Sequence, residues 1–330
     1  MSFDTAPFSF HNSMDYYKHF QIIQDINVPF NISPEKLYTA GTLYEGYVIN
    51  KPETFEQSFD QQVYQHFIRK GKRSEDISET LARAMHDHGI TSAMYKFIKK
   101  YEDKCIVGIM GGHGILRTSE SYKQIVLLSK HLTELGSLMI SGGGPGAMEA
   151  THLGAWMAGF TIDETLDAIN IVSKAPSFKD PLWLDTAFEV REKYFQRHYE
   201  SLGIPTWLYG HEPATPFATH IAKYFTNSIR EDEILTIAFG GIVYTPGSAG
   251  TMQEVFQDAV QNHYLSYGYS SPMIFLGKEF WSNEMPIYPL LKGLSRKGKY
   301  KNLNMLLTDD LDEIVEYLMQ FRENVDKETL

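Results

Sequence analysis

Three glycine-rich turns are the features of this chain whose composition and spacing most directly suggest chemistry. They lie at residues 111–114, 142–146 and 247–250, each between a short apolar run and a helix-like segment. Glycine lets the backbone approach a ligand closely, and the following helix N-terminus offers free N–H groups and a partial positive charge. The three turns together predict a phosphate-bearing ligand. The alternative is that they are simply tight turns between strands and helices.

The turn sequences narrow the class of phosphate ligand. The dinucleotide fingerprint G-x-G-x-x-G fails at its third glycine in the first two turns, where Arg117 and Ala147 stand. The chain contains no G-x-x-x-x-G-K-[ST] sequence, which argues against a P-loop ATPase or GTPase. A mononucleotide or another small phosphate ester fits better than NAD or ATP hydrolysis. Arg117 is a candidate additional phosphate ligand, with a structural role as the alternative.

The elements that must position these turns follow from apolar patterning. Buried strands are expected at 105–110, 138–140, 168–172, 241–245, 273–276 and 303–307. Helices are expected at 119–135, 147–157, 217–239, 252–263 and 311–321. This alternation predicts an α/β fold with a Rossmann-like, doubly wound, mostly parallel sheet, in which ligands bind at the carboxyl ends of the strands.

Residues 1–103 differ from the rest of the chain in their sequence pattern, because they contain no convincing buried strand. They predict a mainly helical accessory segment that precedes a nucleotide-binding domain at 104–330. Helices are expected at 53–69, 75–87 and 91–102, with Gly89 ending the second and His86 and Asp87 facing solvent near that end. A proline-containing, aromatic-rich region at about 174–216 forms an insert in the second domain.

Composition excludes several classes of protein. With 30 Lys and Arg against 41 Asp and Glu, the formal net charge is −11, which disfavours general binding to nucleic-acid polymers. The single cysteine, Cys105, excludes an internal disulfide framework. No apolar run is long enough for a membrane span, and residues 1–17 do not resemble a secretory signal, so a cytoplasmic protein is expected. His198, His211 and His220 match no metal-binding helix pattern, and neither a metal nor a cofactor is expected.

Three stretches resemble one superfamily. SGGGPGAME at 141–149 resembles the GGGxxGxM turn of the Lonely-guy (LOG) proteins, and PGSAGTMQE at 246–254 resembles their PGGxGTxxE motif. Gly111-Gly112-His113 is closer to the bacterial pyrimidine/purine-nucleotide 5′-monophosphate nucleosidases, a larger branch of that superfamily. The resemblance covers about residues 104–325. Members often carry an older "lysine decarboxylase" label, but no lysine context here suggests pyridoxal phosphate.

The resemblance implies a Rossmann-like homodimer or larger homo-oligomer. It implies hydrolysis of the N-glycosidic bond of a nucleoside 5′-monophosphate to free base and ribose 5-phosphate. The catalytic pair would be Arg230 and Glu254, with Glu254 stabilising an oxocarbenium-like transition state. The turn at 247–251 would hold the 5′-phosphate. The residues expected to bind substrate are Gly111, Gly112, His113, Gly143, Gly144, Gly146, Met148, Gly247, Ser248, Ala249, Gly250 and Thr251.

Several alternatives stay open at this stage. Ser248 stands where the family motif has a second glycine, which requires a negative φ at that position. Glu254 can instead be a first-turn acid that favours the helix dipole, and Arg230 an exposed ion-pair former. His113 either donates to the ligand or only ends a strand. The aromatic residues of 194–209 are candidates to stack a base.

The departures from the family leave the activity itself open. The insert is expected to shape base specificity or the subunit interface. A non-catalytic nucleotide sensor of the same fold is the main functional alternative. A transferase that passes the phosphoribosyl group to an acceptor other than water is a third.

Overall fold

The protein was analysed as a computed structural model that describes residues 26–101, 105–196 and 198–328, with side chains described as far as residue 323. Within these ranges the strands form one parallel sheet in the order β4-β3-β2-β1-β5-β6-β7. They are β1 Ile106–Met110, β2 Leu138–Ser141, β3 Ser201–Gly203, β4 His220–Ile221, β5 Gly241–Tyr244, β6 Pro272–Leu276 and β7 Asn304–Thr308.

Helices connect most of these strands and precede the first. They are α1 Ala40–Leu43, α2 Phe59–Lys70, α3 Ile77–Ile98, α4 Glu120–Glu134, α5 Ala147–Trp156, α6 Ile162–Val172, α7 Trp183–Lys193, α8 Asn227–Thr236, α9 Ala249–Tyr264, α10 Ile287–Arg296 and α11 Leu311–Glu328. Single turns of tighter or wider helix occupy Pro52–Gln57, Trp207–Tyr209 and Phe280–Glu284. None of the helices in the described ranges is long and apolar enough to cross a membrane.

The sheet is buried on both faces. Along β1, Val107 and Ile109 belong to a core with α4, α5, α6, α7 and α11. Ile106 and Met110 belong to the opposite core, with α3, α8, α9 and α10. Successive strand residues point to opposite faces, so a strand covered on both sides is a continuous apolar run. The expected Rossmann-like, doubly wound α/β fold is confirmed.

The strand order reverses at β1. The chain runs outward from β1 through β2 and β3 to β4, and then returns to place β5 on the other side of β1. The loops after β1 and β5 therefore leave in opposite directions and open a crevice between them. In open α/β sheets, ligands bind in this crevice.

Two predicted elements between β2 and β5 were wrong. Residues 168–172 form the end of α6 and not a strand, because a capping box between Thr161 and Glu164 begins a helix upstream. The expected helix at 217–239 begins only at Asn227. The residues before it form β4 and a buried connection, where β3 pairs with β4 in parallel. This connection is buried on several sides, and in the sequence its apolar residues therefore resemble a helical pattern. The short strand β3, inside the insert, was missed.

The prediction that Gly89 ends a helix was also wrong. Helix α3 runs through it, and a β-carbon at Gly89 would lie 2.7 Å from Cδ of Pro34. Glycine is therefore needed there for close packing. His86 and Asp87 were expected to face solvent, yet both are buried. The ring of His86 packs against aromatic side chains from distant parts of the chain, namely Phe30, Tyr38, Trp207 and Phe225.

The described part of the N-terminal region is anchored to the strands next to the insert. Tyr38 exchanges both backbone hydrogen bonds with Ile221 on the edge strand β4. The buried carboxylate of Asp60 accepts hydrogen bonds from Nζ of Lys223 and from Nε1 of Trp207. Removal of one partner of such a buried ion pair strongly destabilises the folded protein, because the other charge is left buried and uncompensated. These contacts cover the otherwise open edge of the sheet.

Candidate active site

A cleft of about 370 Å³ lies at the carboxyl ends of β1, β2 and β5, at the strand-order reversal. This volume falls within the usual range for small-molecule sites, about 300–1,000 Å³. The lining combines glycine backbone with carboxylates, one arginine and a few apolar groups. The lining residues are Gly111, Gly112, His113, Gly142, Gly144, Met148, Pro205, Thr206, Tyr209, Glu212, Arg230, Glu231, Ser248, Ala249, Gly250, Thr251, Gln253 and Glu254.

The turn after β5 presents a helix N-terminus to the cleft. Ser248 is the N-cap of α9, and its side chain makes no capping hydrogen bond. Its φ of −122° is in a region open to any residue, so the replacement of the motif glycine by serine is accommodated. Ala249 and Gly250 are exposed. The first N–H groups of a helix have no partner within it, so this turn is suited to an anion.

The turn after β1 holds the other two turns together. The Gly112 N–H donates to the Pro246 carbonyl at 3.1 Å, and the Gly112 carbonyl accepts from the Ala147 N–H at 3.1 Å. A β-carbon at Gly111 would lie 1.9 Å from Oγ1 of Thr245. Glycine at this position therefore permits the ends of β1 and β5 to meet. The three turns form one connected surface.

The turn after β2 depends on a buried polar chain. Gly143 and Gly146 have φ of +69° and +68°, in the region that glycine adopts without strain. The Gly143 N–H donates to Oγ of Ser141 at 3.1 Å. His152 lies 2.9 Å from both Ser141 Oγ and Ser201 Oγ, and its burial lowers its pKa to about 3. This imidazole is therefore neutral at physiological pH and serves to hold the turn to β3.

Arg230 and Glu254 meet at the wall of the cleft. Nη1 of Arg230 lies 3.9 Å from Oε1 of Glu254, and the two side chains are only 12% and 13% exposed. Nε of Arg230 donates to the Ile204 carbonyl at 2.8 Å, which fixes the guanidinium. A β-carbon at Gly142 would lie 2.2 Å from its Nη2, so the guanidinium sits directly on the second glycine turn. The alternative that Arg230 is an exposed ion-pair former does not hold, because its side chain is largely buried.

The carboxyl group of Glu254 has an unusual affinity for its proton. Burial raises its pKa from 4.5 to about 7, Arg230 acts in the opposite direction, and the nearby Glu231 adds to the rise. Desolvation favours the neutral form of a carboxyl group. A buried carboxyl with a pKa near neutrality, in a cleft, is typical of a functional group.

The helix that carries Arg230 is positioned by the N-terminal region. The buried carboxylate of Asp87 accepts hydrogen bonds from the N–H groups of Phe225 and Thr226, both at 2.9 Å. Thr226 is the N-cap of α8, and the Arg230 N–H donates to its carbonyl. Residues 26–101 of the accessory segment thus contribute to the site although none of them lines the cleft.

The other predicted binding residues divide into two groups. His113, Gly144 and Met148 line the cleft alongside Gly111 and Gly112. Gly143, Gly146 and Gly247 lie behind it and shape the turns: a β-carbon at Gly247 would lie 2.1 Å from Oγ1 of Thr251. The side chain of His113 is 51% exposed and lies 3.9 Å from Glu212.

Two sequence hypotheses outside the main motif have clear outcomes. Arg117 is not available to a phosphate, because it is buried in an ion pair with Glu149 and also donates to three backbone carbonyls. Of the aromatic residues at 194–209, Tyr209 lines the cleft, whereas Trp207 is buried against Asp60. In the described ranges, no group of three or more His, Cys, Asp or Glu side chains could hold a metal ion.

Sequence reasoning missed Glu212 as a residue of the cleft. Its local sequence, His211-Glu212-Pro213, matches no binding motif and gives no sign of its position in the fold. In the structure the insert folds back over the carboxyl end of β2, where the Thr215 N–H donates to the Gly143 carbonyl at 2.8 Å. Pro205, Thr206, Tyr209 and Glu212 reach the cleft from this segment.

Among known proteins, only solved structures resemble this chain, and they do so at low sequence identity. No protein-family model and no curated protein matches the chain. Among solved structures, one similar chain is TM1055, a structural-genomics target, with 18% identity over 65% of this chain and 98% of that chain and a TM-score of 0.42. Another is the molybdenum cofactor binding protein from the phototrophic bacterium Rippkaea orientalis. It has 15% identity over 66% of this chain and 96% of that chain, and a TM-score of 0.41.

Proposed function

We propose that this protein hydrolyses the N-glycosidic bond of a nucleoside 5′-monophosphate to free base and ribose 5-phosphate. The observation that carries the proposal is the convergence of Arg230 and Glu254 on the same cleft as the uncapped N-terminus of α9. The resemblance of 141–149 and 246–254 to the LOG motifs supports the same reaction. The proposal applies to a mononucleotide, since the chain lacks the dinucleotide and P-loop sequences.

The 5′-phosphate is placed at the turn of Ser248, Ala249 and Gly250. The first N–H groups of α9 donate to its oxygens, and the helix dipole favours its charge. The remainder of the cleft has an excess of carboxylates, Glu212, Glu231 and Glu254, over its single arginine. A phosphate held by backbone N–H groups does not need additional lysine or arginine side chains. Glu254 lies one turn further along α9, where the ribose of such a nucleotide would be.

The reaction follows from the chemistry of the ribosyl–base bond. As the bond between C1′ and the base nitrogen breaks, its electron pair leaves with the base and positive charge develops on the ribose. The ionised Glu254 carboxylate stabilises that charge and accepts a proton from the water whose oxygen bonds to C1′. The departing base takes up a proton from solvent, and Glu254 returns its proton to solvent, which restores the ionised carboxylate. Arg230 orients the Glu254 carboxylate and keeps it partly ionised near neutrality.

The test is product analysis by liquid chromatography with a panel of ribo- and deoxyribonucleoside monophosphates. The wild type is expected to release free base and ribose 5-phosphate from at least one of them. Glu254→Gln is expected to lose about 10²–10³ in rate, the usual effect of removing one placed electrostatic group. Arg230→Lys should lose activity as well, because an ammonium cannot reproduce the planar guanidinium fork.

A matched control is Glu120→Gln on the exposed first turn of α4, whose side chain is 71% exposed. It should hydrolyse the same monophosphates at the wild-type rate. Binding of a monophosphate without release of base would contradict the proposal and favour a nucleotide sensor. Exchange of labelled free base into the nucleotide would instead indicate a transferase.

A further inference from the structure

Glu212 differs from the other carboxylates of the cleft in having its oxygens uncommitted. The Glu231 oxygens accept hydrogen bonds from the side-chain amides of Asn227 and Gln253, and Glu254 faces Arg230. Among the hydrogen bonds of the described residues, none ends on an oxygen of Glu212. Its closest polar neighbours are Nε2 of His113 and Nε2 of His211, each 3.9 Å away.

The position of Glu212 is nevertheless well defined. The Glu212 N–H donates to the Tyr209 carbonyl at 2.8 Å, within the turn that follows Trp207–Tyr209. The side chain is 18% exposed. A carboxylate held at the wall of a cleft with free lone pairs can accept hydrogen bonds from a ligand, two at each oxygen. Among the described residues no hydrogen bond occupies these lone pairs, so Glu212 has the features of a recognition group.

The second glycine turn relates Glu212 to the proposed reaction centre. Nη2 of Arg230 lies against Gly142, and Oε2 of Glu212 lies 3.8 Å from the position of a β-carbon at Gly144. Gly142 and Gly144 are two residues apart, and two residues of chain span at most ~7 Å. Arg230 and Glu212 therefore approach two nearby points of the same turn.

Two side chains near this turn are suited to contact with a planar ring. The thioether of Met148 lies against both Gly142 and Gly144, and the half-exposed ring of Tyr209 lines the same cleft. Methionine sulfur and tyrosine make favourable contacts with aromatic rings. A planar ring that lies on Met148 would therefore point one edge at Glu212 while its glycosidic bond faces Arg230 and Glu254.

We propose that Glu212 determines base specificity by accepting hydrogen bonds from the edge of the base opposite the ribose. This inference rests on the proposed function, since it takes the base to lie beyond Glu254. The two carboxylate oxygens match a base edge with two adjacent N–H donors, in the way that a carboxylate matches a guanidinium fork. The site then favours bases with a ring N–H next to an exocyclic amino group over bases that lack the amino group.

Guanosine and inosine 5′-monophosphates differ only in that amino group and serve as the pair of probes. The wild type should have a kcat/KM for the guanosine compound at least about 10-fold above that for the inosine compound, the scale of one lost contact in a bidentate pair. In Glu212→Gln, which keeps one acceptor and adds a donor, this ratio should fall to about one. Glu231→Gln removes the same charge from the same cleft and should leave the ratio unchanged.

The dissociation constants of the two nucleotides, measured by calorimetry with the same variants, separate this inference from the proposed function. If no nucleotide is hydrolysed but the ratio of dissociation constants falls in Glu212→Gln alone, the hydrolase proposal fails and the role of Glu212 stands. If the wild type hydrolyses nucleotides and Glu212→Gln keeps the wild-type ratio, the inference about Glu212 is overturned. An equal fall in Glu231→Gln would also overturn it, because a general charge effect would then explain the change. Failure of the wild type to bind either nucleotide would overturn the inference about Glu212, whereas the hydrolase proposal would still be decided by the full panel of monophosphates.

Discussion

The carboxyl group of Glu254 should lower the stability of the folded protein at high pH, and its removal should restore that stability. Its pKa is about 7 in the folded chain and 4.5 ordinarily, chiefly because of burial. The folded state therefore holds this proton more tightly than the unfolded state. The stabilisation is complete below pH 4.5 and is lost as the pH rises through about 7. At about 1.4 kcal/mol for each pH unit, the total effect is about 3 kcal/mol.

The assay compares urea unfolding of the wild type and Glu254→Gln at pH 5 and pH 8. Between these two pH values, the difference in unfolding free energy between the variant and the wild type should shift by about 2–3 kcal/mol in favour of the variant. The same variant should be inactive, so stability and hydrolysis change in opposite directions. Glu120→Gln, which removes a carboxyl exposed to solvent, should show no such dependence on pH.

One outcome would refute this reasoning. A difference between variant and wild type that is equal at pH 5 and pH 8 would mean that folding does not raise the pKa of Glu254. Its carboxyl group would then be ionised at both pH values, because Arg230 offsets the effect of burial in full.

Three further predictions concern the same site. The kcat/KM of the wild type should rise with pH and level off above about 7, because the ionised form of Glu254 accepts the proton from water. A pH–rate profile that stays flat through this range would contradict that role. Asp87→Ala should leave one buried and one partly buried N–H group unpaired just before α8 and lower the unfolding free energy by about 2–4 kcal/mol, measured in urea. A change below about 0.5 kcal/mol would show that Asp87 does not hold that helix. Gly142→Ala should displace the flexible end of Arg230 and lower kcat/KM about 10²-fold with little effect on the urea midpoint, and wild-type kinetics in this variant would refute the close approach of the two residues.

The features that the sequence predicted correctly depend on short stretches of chain. The glycine turns follow strands β1, β2 and β5 as expected, and Glu254 lies one turn inside α9 because the intervening residues form an ordinary helix N-terminus. Gly136, with a φ of +88°, follows the end of α4 in a conformation that glycine adopts without strain. Helix periodicity, turn residues and apolar runs are local patterns, and local hydrogen bonding is sufficient to realise them.

The errors arose where packing between distant segments overrides the local pattern. Gly89 resembles a helix end in sequence but is a point of close approach to Pro34. His86 and Asp87 resemble a polar helix end, yet Asp87 caps the connection that leads to α8. A buried polar residue and an exposed one have the same local sequence signature, and only the partner that satisfies the buried one distinguishes them.

The amino-acid sequence by itself therefore determined the α/β architecture and the glycine turns suited to an anion. The tertiary structure alone decided which side chains meet at those turns. In the folded chain Arg230 contacts Gly142 and lies near Glu254. Arg117 is buried in an ion pair, and Glu212 of the insert lines the cleft. The physical reason is that burial and ion pairing depend on which surfaces the sheet order brings together, and residues far apart in sequence supply those surfaces.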